Sequence, residues 1–231
     1  MDSTNAEARR RAAAGETGPL WITAQRQSAG RGRRGRSWET GPGNLAATYL
    51  FATDRPAIEA AQVSFVAALA VADLAAVYVT GAAISLKWPN DLMLGGVKAA
   101  GILVESGARA DHGLWVAVGI GVNLASAPQV SERAATTFAA HMRTPPPAVM
   151  EALSTLSEAL ERWRGVWERS GFPLIAEAWT ARAHGIGERC VARLPNETLE
   201  GLAEGLDGDG ALKLRLADGQ VRRITAGDVF F

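Results

Sequence analysis

Residues 20–52 read LWITAQRQSAGRGRRGRSWETGPGNLAATYLFA. Two short apolar runs, 20–25 and 45–52, bracket a loop rich in glycine and arginine. Apolar runs of this length bounded by turn formers are strands, so the loop is tied down at both ends, unlike a free tail. Its centre, Gly30-Arg31-Gly32-Arg33-Arg34-Gly35-Arg36, places four guanidiniums and three glycines in seven residues. The glycines leave the backbone free to close around a ligand, and planar guanidiniums match carboxylate and phosphate oxygens. Taken alone, the same residues also fit an RNA-binding arginine patch or a solvated turn. The chain as a whole has a formal net charge of zero and a pI near 6.9, which argues against the domain-wide basic excess of a nucleic-acid coat.

Working outward, Thr4 with Glu7 fits a capping box and Gly15 a helix stop, which predicts a helix ahead of the first strand. Residues 58–79 are almost entirely apolar and long enough to span a bilayer. They contain Glu59, Gln62, Ser64 and Asp73 among alanines and valines, the pattern of a helix buried within a core. Strands follow at 83–88, 99–105 and 114–124, with a hairpin-like turn at Gly95-Gly96. After Asn123 the pattern becomes helical. Pro145-Pro146-Pro147 stops one helix and sets up the next, Leu153, Leu156, Leu160, Trp163 and Trp167 line one face, and 172–183 is helical again. These helices read as packing. From Gly187 short strands at 189–194, 199–206, 211–216 and 221–225 alternate with turns at Pro195-Asn196, Asp207-Gly208-Asp209-Gly210 and Asp218-Gly219.

The expected class is therefore α/β of the α+β type. A mixed β-sheet catalytic domain flanked by helices (1–184) is followed by a small C-terminal β-barrel domain (185–231). The single cysteine, Cys190, rules out an internal disulfide, suits a reducing cytoplasm and is expected to fill a strand face. The N-terminal residues contain no apolar segment of a signal peptide.

Lysine is scarce. Of only three, Lys87 and Lys98 lie in the segments Lys87-Trp88-Pro89-Asn90-Asp91 and Lys98-Ala99-Ala100-Gly101-Ile102-Leu103-Val104-Glu105. Proline keeps its predecessor out of the α region, so the first segment is a strand end or sharp turn displaying Lys87, Asn90 and Asp91. The small residues after Lys98 admit a ligand or another backbone at close range. Gly119-Ile120-Gly121-Val122-Asn123 lacks the order of a dinucleotide fingerprint, and no P-loop is present; the Asn123 amide can still pair with a purine edge. Gln27 and Trp38 flank the Gly/Arg loop as a polar hook and a flat aromatic, both suited to a heterocycle.

Taken in order, Asp2-Ser3-Thr4-Asn5, GRGRRGR with Trp38, KWPND, KAAGILVE, GIGVN and the β-rich tail closely resemble the biotin–protein ligases (biotin–[acetyl-CoA-carboxylase] ligases) along essentially the whole chain. No helix-turn-helix precedes Ser3, so the likeness is to the short form without a DNA-binding domain. The resemblance implies an SH3-like C-terminal barrel and a reaction in which biotin and ATP form biotinyl-5′-AMP. The acyl group then passes to a lysine of a biotin carboxyl carrier protein, a subunit of acetyl-CoA carboxylase, or of another biotin-dependent carboxylase. It implies Ser3, Thr4, Asn5 and Gln27 around the ureido ring, and Gly30, Arg31, Arg33, Lys98 and Gly101 along biotin. Arg33, Arg34, Arg36, Trp38, Lys87, Asn90, Asp91 and Asn123 would serve ATP. Lys98, Arg33 and Lys87 would be catalytic, and Asp91 would hold Mg²⁺. A cytoplasmic enzyme without nucleic-acid or membrane partners is expected, and a homodimer is compatible with it. Rival readings are a nucleic-acid-binding module and a ligase acting on lipoate or octanoate.

Elementary electrostatics asks for the same residue types. A carboxylate meeting a phosphate at about 4 Å is repelled by roughly 4 kcal/mol at an effective dielectric near 20, about three orders of magnitude in rate. Fixed cations offset this, and because the substrate carboxylate attacks, no nucleophilic side chain is needed. Ordering a glycine-rich loop costs roughly 1–2 kcal/mol per residue, so the loop is expected to close only where contacts compensate.

Overall fold

The structure is a computed structural model that describes residues 1–128 and 134–231. Its larger sheet has six strands: β1 (Leu20–Thr23), β2 (Leu45–Thr53), β3 (Ile84–Lys87), β4 (Asp91–Leu94), β5 (Val97–Ala108) and β6 (Leu114–Val122). Their order is β1-β2-β6-β5-β4-β3, and every pair is antiparallel. Parallel pairing among the described residues is confined to the isolated bridges Leu86–Ala183 and Lys98–Ala135.

Strand alternation divides the sheet into two unlike faces. Leu45, Ala47, Tyr49 and Phe51 of β2, Ala100 and Ile102 of β5, and Val116, Val118, Ile120 and Val122 of β6 point into the main core. There they meet α3 (Val63–Tyr78) and α4 (Val149–Ser170). The opposite face carries Ala46 and Thr48, Gly119 and Gly121, and Gly101 and Leu103, and registers them across the strands: Ala46 with Gly121, Gly121 with Gly101, Gly101 with Asp91, and Asp91 with Lys87. At one end of this face α1 (Thr4–Ala13) packs through Ala8 on Ile22, Leu50 and Ala117. Beyond α1 the small residues leave a shelf. The shelf is where the site lies.

The apolar stretch at 58–79 is two helices, α2 (Ala57–Ala60) and α3, separated near Gln62. Its polar residues Glu59, Gln62 and Asp73 are partnered from α4 or nearby, as burial requires. The Gln62 side chain accepts from Trp167 Nε1 at 3.1 Å, Glu59 pairs with Arg55, and Asp73 takes hydrogen bonds from Trp163, Arg162 and Arg182. Burial alone would raise the Asp73 carboxyl; those donors outweigh it and hold the group below the usual carboxylate range. On α4, Leu153, Leu156, Leu160 and Trp167 are buried and Trp163 partly so, the face that the spacing predicts.

Four expectations change. The capping box is not formed: the helix cap is Ser3, Thr4 bonds Gln27, and Glu7 pairs with Arg10 and Arg11. Between Asn123 and the three prolines the described residues contain only a 3₁₀ turn, Ala139–His141, and no longer helix; residues 129–133 lie outside the described set. Strand β4 begins at Asp91, where the sequence shows only a turn, because β3 and β5 supply partners on both sides. The last strand, β11 (Asp228–Phe230), is three residues long, too short for any periodicity.

Helix α5 (Phe172–Thr180) leads into the second sheet, β7 (Arg189–Arg193), β8 (Thr198–Leu206), β9 (Leu212–Arg215), β10 (Val221–Ile224) and β11. This β-rich C-terminal sheet is antiparallel in the order β10-β9-β8-β7-β11. Its core residues Ala192, Ala203, Leu212, Leu214 and Val229 run into the main core, and the Trp88 indole donates to the Gly210 carbonyl at 3.0 Å. Cys190 of β7 is 4% exposed, and burial raises its thiol above the ordinary value. A raised thiol holds little thiolate at neutral pH. Iodoacetamide at pH 7.5 should therefore label Cys190 slowly in the folded chain and rapidly once urea has unfolded it; equal rates would contradict the burial.

Candidate active site

A cavity of about 120 Å³ opens on the shelf, walled by the start of α1, the Gly/Arg loop, the β3–β4 turn, β5, β6 and β11. Its polar end is built at the first turn of α1. Thr4 donates through its backbone N–H to Gln27 Oε1 at 2.9 Å, and its hydroxyl lies 3.2 Å from the same oxygen. Gln27 Nε2 donates to Thr40 Oγ1 at 3.0 Å, which fixes the amide orientation. Asn5 is held on every side: Nδ2 donates to the Leu103 carbonyl at 3.2 Å and to Glu105 Oε2 at 2.8 Å, while Oδ1 accepts from the buried Thr48 hydroxyl at 2.6 Å. Both amide hydrogens and one lone pair are thus used within the chain. Gly119 is what admits Asn5 to the sheet, since a Cβ there would overlap Asn5 Oδ1.

The cationic end sits at the β3–β4 turn. Lys87 and Asp91 face each other across that turn, and Lys98 Nζ lies 2.5 Å from Asp91 Oδ1. Asn90 is pinned to β5 by its Nδ2 on the Ile102 carbonyl at 2.6 Å and accepts from Arg33 Nη1 at 3.3 Å. Burial lowers the Arg33 guanidinium below the usual arginine range, opposed by the nearby carboxylates Asp228 and Asp91. An arginine remains protonated under such a shift.

Trp38 forms the floor between the two ends. Gly101 and Gly121 are register partners, and a Cβ on Gly121 would overlap the indole. A Cβ on Gly101 would stand 3.2 Å from Trp38 Cζ3 and 3.3 Å from Lys98 Nζ. The glycines of GIGVN are therefore the footprint of Trp38 and Asn5. Lys98 Nζ lies 5.7 Å from the Trp38 ring centroid, within cation–π range.

The Gly/Arg loop folds into a small hairpin, with Trp38 N–H donating to the Gly30 carbonyl at 2.9 Å and Gly32 N–H to the Arg36 carbonyl at 2.7 Å. Its tip is the 3₁₀ turn Arg33–Gly35, where Arg34 and Gly35 take positive φ. The contacts that hold it come from within the chain. Arg31 pairs with Glu105 of β5, and Arg34 and Arg36 pair with Asp228 of β11.

The structure thus brings Ser3, Thr4, Asn5, Gln27, Arg31, Arg33, Arg36, Trp38, Lys87, Asn90, Asp91, Lys98 and Gly101 to one cavity. Gly30, Arg34 and Asn123 stand outside its lining. Asn123 is buried, with its Nδ2 on the Thr136 carbonyl at 3.1 Å. Sequence reasoning missed Thr48, Glu105, Asp228 and Val229. Thr48 is the polar residue within the apolar run 45–52, which is a usable signal; Asp228 carries none, being brought in by the C-terminal domain.

A polar hook, a flat aromatic floor and a cationic end thus line one cavity. The chain belongs to the biotin/lipoate A/B protein ligase family, whose profile matches residues 2–123, and the profile of the biotin protein ligase C-terminal domain matches 185–231. Among curated relatives it is similar to the biotin–[acetyl-CoA-carboxylase] ligase of Paracoccus denitrificans, 44% identical over 100% of this chain and 97% of that one. The ligase of the same name from Mycobacterium tuberculosis is 34% identical over 98% and 85%. The fold matches the Aquifex aeolicus biotin protein ligase solved with biotin and ATP, with a TM-score of 0.82 over 99% of this chain and 94% of that one at 24% identity.

Proposed function

We propose that this chain joins biotin to ATP and then biotinylates a carrier protein. A biotin carboxylate oxygen attacks the α-phosphorus, the new P–O bond forms, the bond to the β-phosphate breaks, and pyrophosphate leaves. A neutral lysine amine of a biotin carboxyl carrier domain then attacks the acyl carbon, giving an amide, AMP and a proton. The observation that carries this reading is the Gly101–Gly121 shelf, with the Thr4–Gln27 hook at one end and Lys87, Lys98 and Arg33 at the other.

Ser3, Thr4 and Gln27 take the ureido ring, and Trp38 supplies an aromatic face for adenine. Lys98 and Arg33 lower the repulsion between the carboxylate and the α-phosphate, and Lys87 neutralises charge on the leaving pyrophosphate. Among the described residues no group of three potential metal-ligating side chains occurs. Mg²⁺, which commonly binds through one or two carboxylates plus substrate phosphates, fits Asp91 as the protein's share of the site, and when bound supplies charge neutralisation at the phosphates. The unpaired, buried Cys190 is compatible with a cytoplasmic setting.

The lipoate alternative separates cleanly. Purified protein with ATP and magnesium should release pyrophosphate with biotin and stay near background with lipoate or octanoate, and labelled biotin should appear on a carrier-domain lysine. Turnover with lipoate alone would overturn the assignment.

A further inference from the structure

The Gly/Arg loop is fastened by two carboxylates: Glu105, the last residue of the KAAGILVE segment, to which the sequence assigns no role, and Asp228, which lies in no motif. Glu105 stands near the end of β5 with its side chain 28% exposed, and Asp228 opens β11 at 17%. Arg31 Nη2 lies 3.0 Å from both oxygens of Glu105, and the same carboxylate accepts from Asn5 at 2.8 Å. Glu105 therefore ties the start of the loop to the polar hook. Asp228 accepts from Arg34 at 3.3 Å and from Arg36 at closer range, tying the far side of the loop to the C-terminal domain. Arg33, between them, is bonded to a neutral amide, that of Asn90.

The geometry points to a division of labour within the loop: Glu105 and Asp228 are positioning residues that clasp it shut over the cavity, one from each domain. Three of the four arginines then serve as fasteners, and the C-terminal domain contributes to the site through Asp228. The inference rests on the reaction proposed above for its kinetic consequences but not for its structural ones. Seven residues with three glycines have a large ordering entropy to overcome. Two charge-assisted attachments at the ends, neither fully exposed, are placed where they oppose it best.

Trypsin is a direct probe, because every fastener is itself a cleavage site. In the full-length protein, Glu105→Gln should raise the rate of cutting after Arg31 by about fivefold, and Asp228→Asn should do the same after Arg34 and Arg36, the effect of one partly screened ion pair. Cutting elsewhere and the melting temperature should stay near wild type. Asp228→Glu, which keeps the charge, should restore protection and controls for a packing defect in β11. Kinetically, Glu105→Gln should raise KM for biotin and Asp228→Asn KM for ATP, each with the other KM little changed. Unchanged loop cleavage in both variants would overturn the clasp, even in an enzyme of normal activity. Conversely, wild-type protein that adenylates nothing while the variants open the loop would overturn the proposed reaction and leave the clasp standing.

Discussion

Lys98→Ala is expected to keep the fold and to lower biotinyl-adenylate formation by about two to three orders of magnitude. The repulsion that the side chain opposes, roughly 4 kcal/mol between a carboxylate and a phosphate at about 4 Å, or about three orders of magnitude, sets the upper end, because Lys98 shares the offset with Arg33. The structure adds a second reason. Lys98 is 2.5 Å from Asp91, whose side chain is only 14% exposed, so removing the ammonium leaves a half-enclosed carboxylate beside the incoming phosphates. Because Asp91 is also the proposed protein share of the Mg²⁺ site, the double variant Lys98→Ala/Asp91→Asn should be at least as impaired as Lys98→Ala alone; recovery in the double variant would show that Asp91 serves only as the counter-ion of Lys98. Pyrophosphate release under saturating ATP and biotin measures the effect, and a thermal melt reports the fold. Release at a near-normal rate in Lys98→Ala would remove this residue from the chemistry.

Gly121→Ala should be a severely damaging single-methyl change on the shelf. The added carbon falls inside the Trp38 indole. The ring, which packs on the sheet at the Gly101–Gly121 pair, must lift, because the strand is held by β2 and β5 on either side. Overpacking of this kind costs about 1–3 kcal/mol, so the variant folds with a lowered melting temperature, and KM for ATP rises tenfold or more as the proposed adenine platform is lost. Gly119→Ala is the informative contrast. There the added carbon meets Asn5 Oδ1, so the penalty should fall on KM for biotin. If both alanine variants shifted the two KM values alike, the separation of the shelf into a ring end and a nucleotide end would be wrong.

Much of the site was legible in the sequence because its residue types are chemically unusual for their surroundings. Arginines spaced by glycine between two strands, scarce lysines concentrated beside a proline turn, and a run of small residues after Lys98 all point to an anionic ligand approaching a backbone. Other features had no such local signature. Thr4 looks like a helix cap and is instead the partner of Gln27. Asn123 looks available to a purine and is committed to Thr136. Asp91 opens a strand that exists only because β3 and β5 flank it.

Composition, spacing and periodicity were enough to set the class of fold and to point to an anionic ligand, since strand alternation, turn chemistry and charge are properties of neighbouring residues. The choice among equivalent charges belonged to the tertiary structure. Which arginines are tied to Glu105 and Asp228, which faces an amide, and which glycines make room for Trp38 depend on contacts between residues as much as 194 positions apart, where only the packed sheet and the C-terminal domain bring the partners within hydrogen-bonding distance.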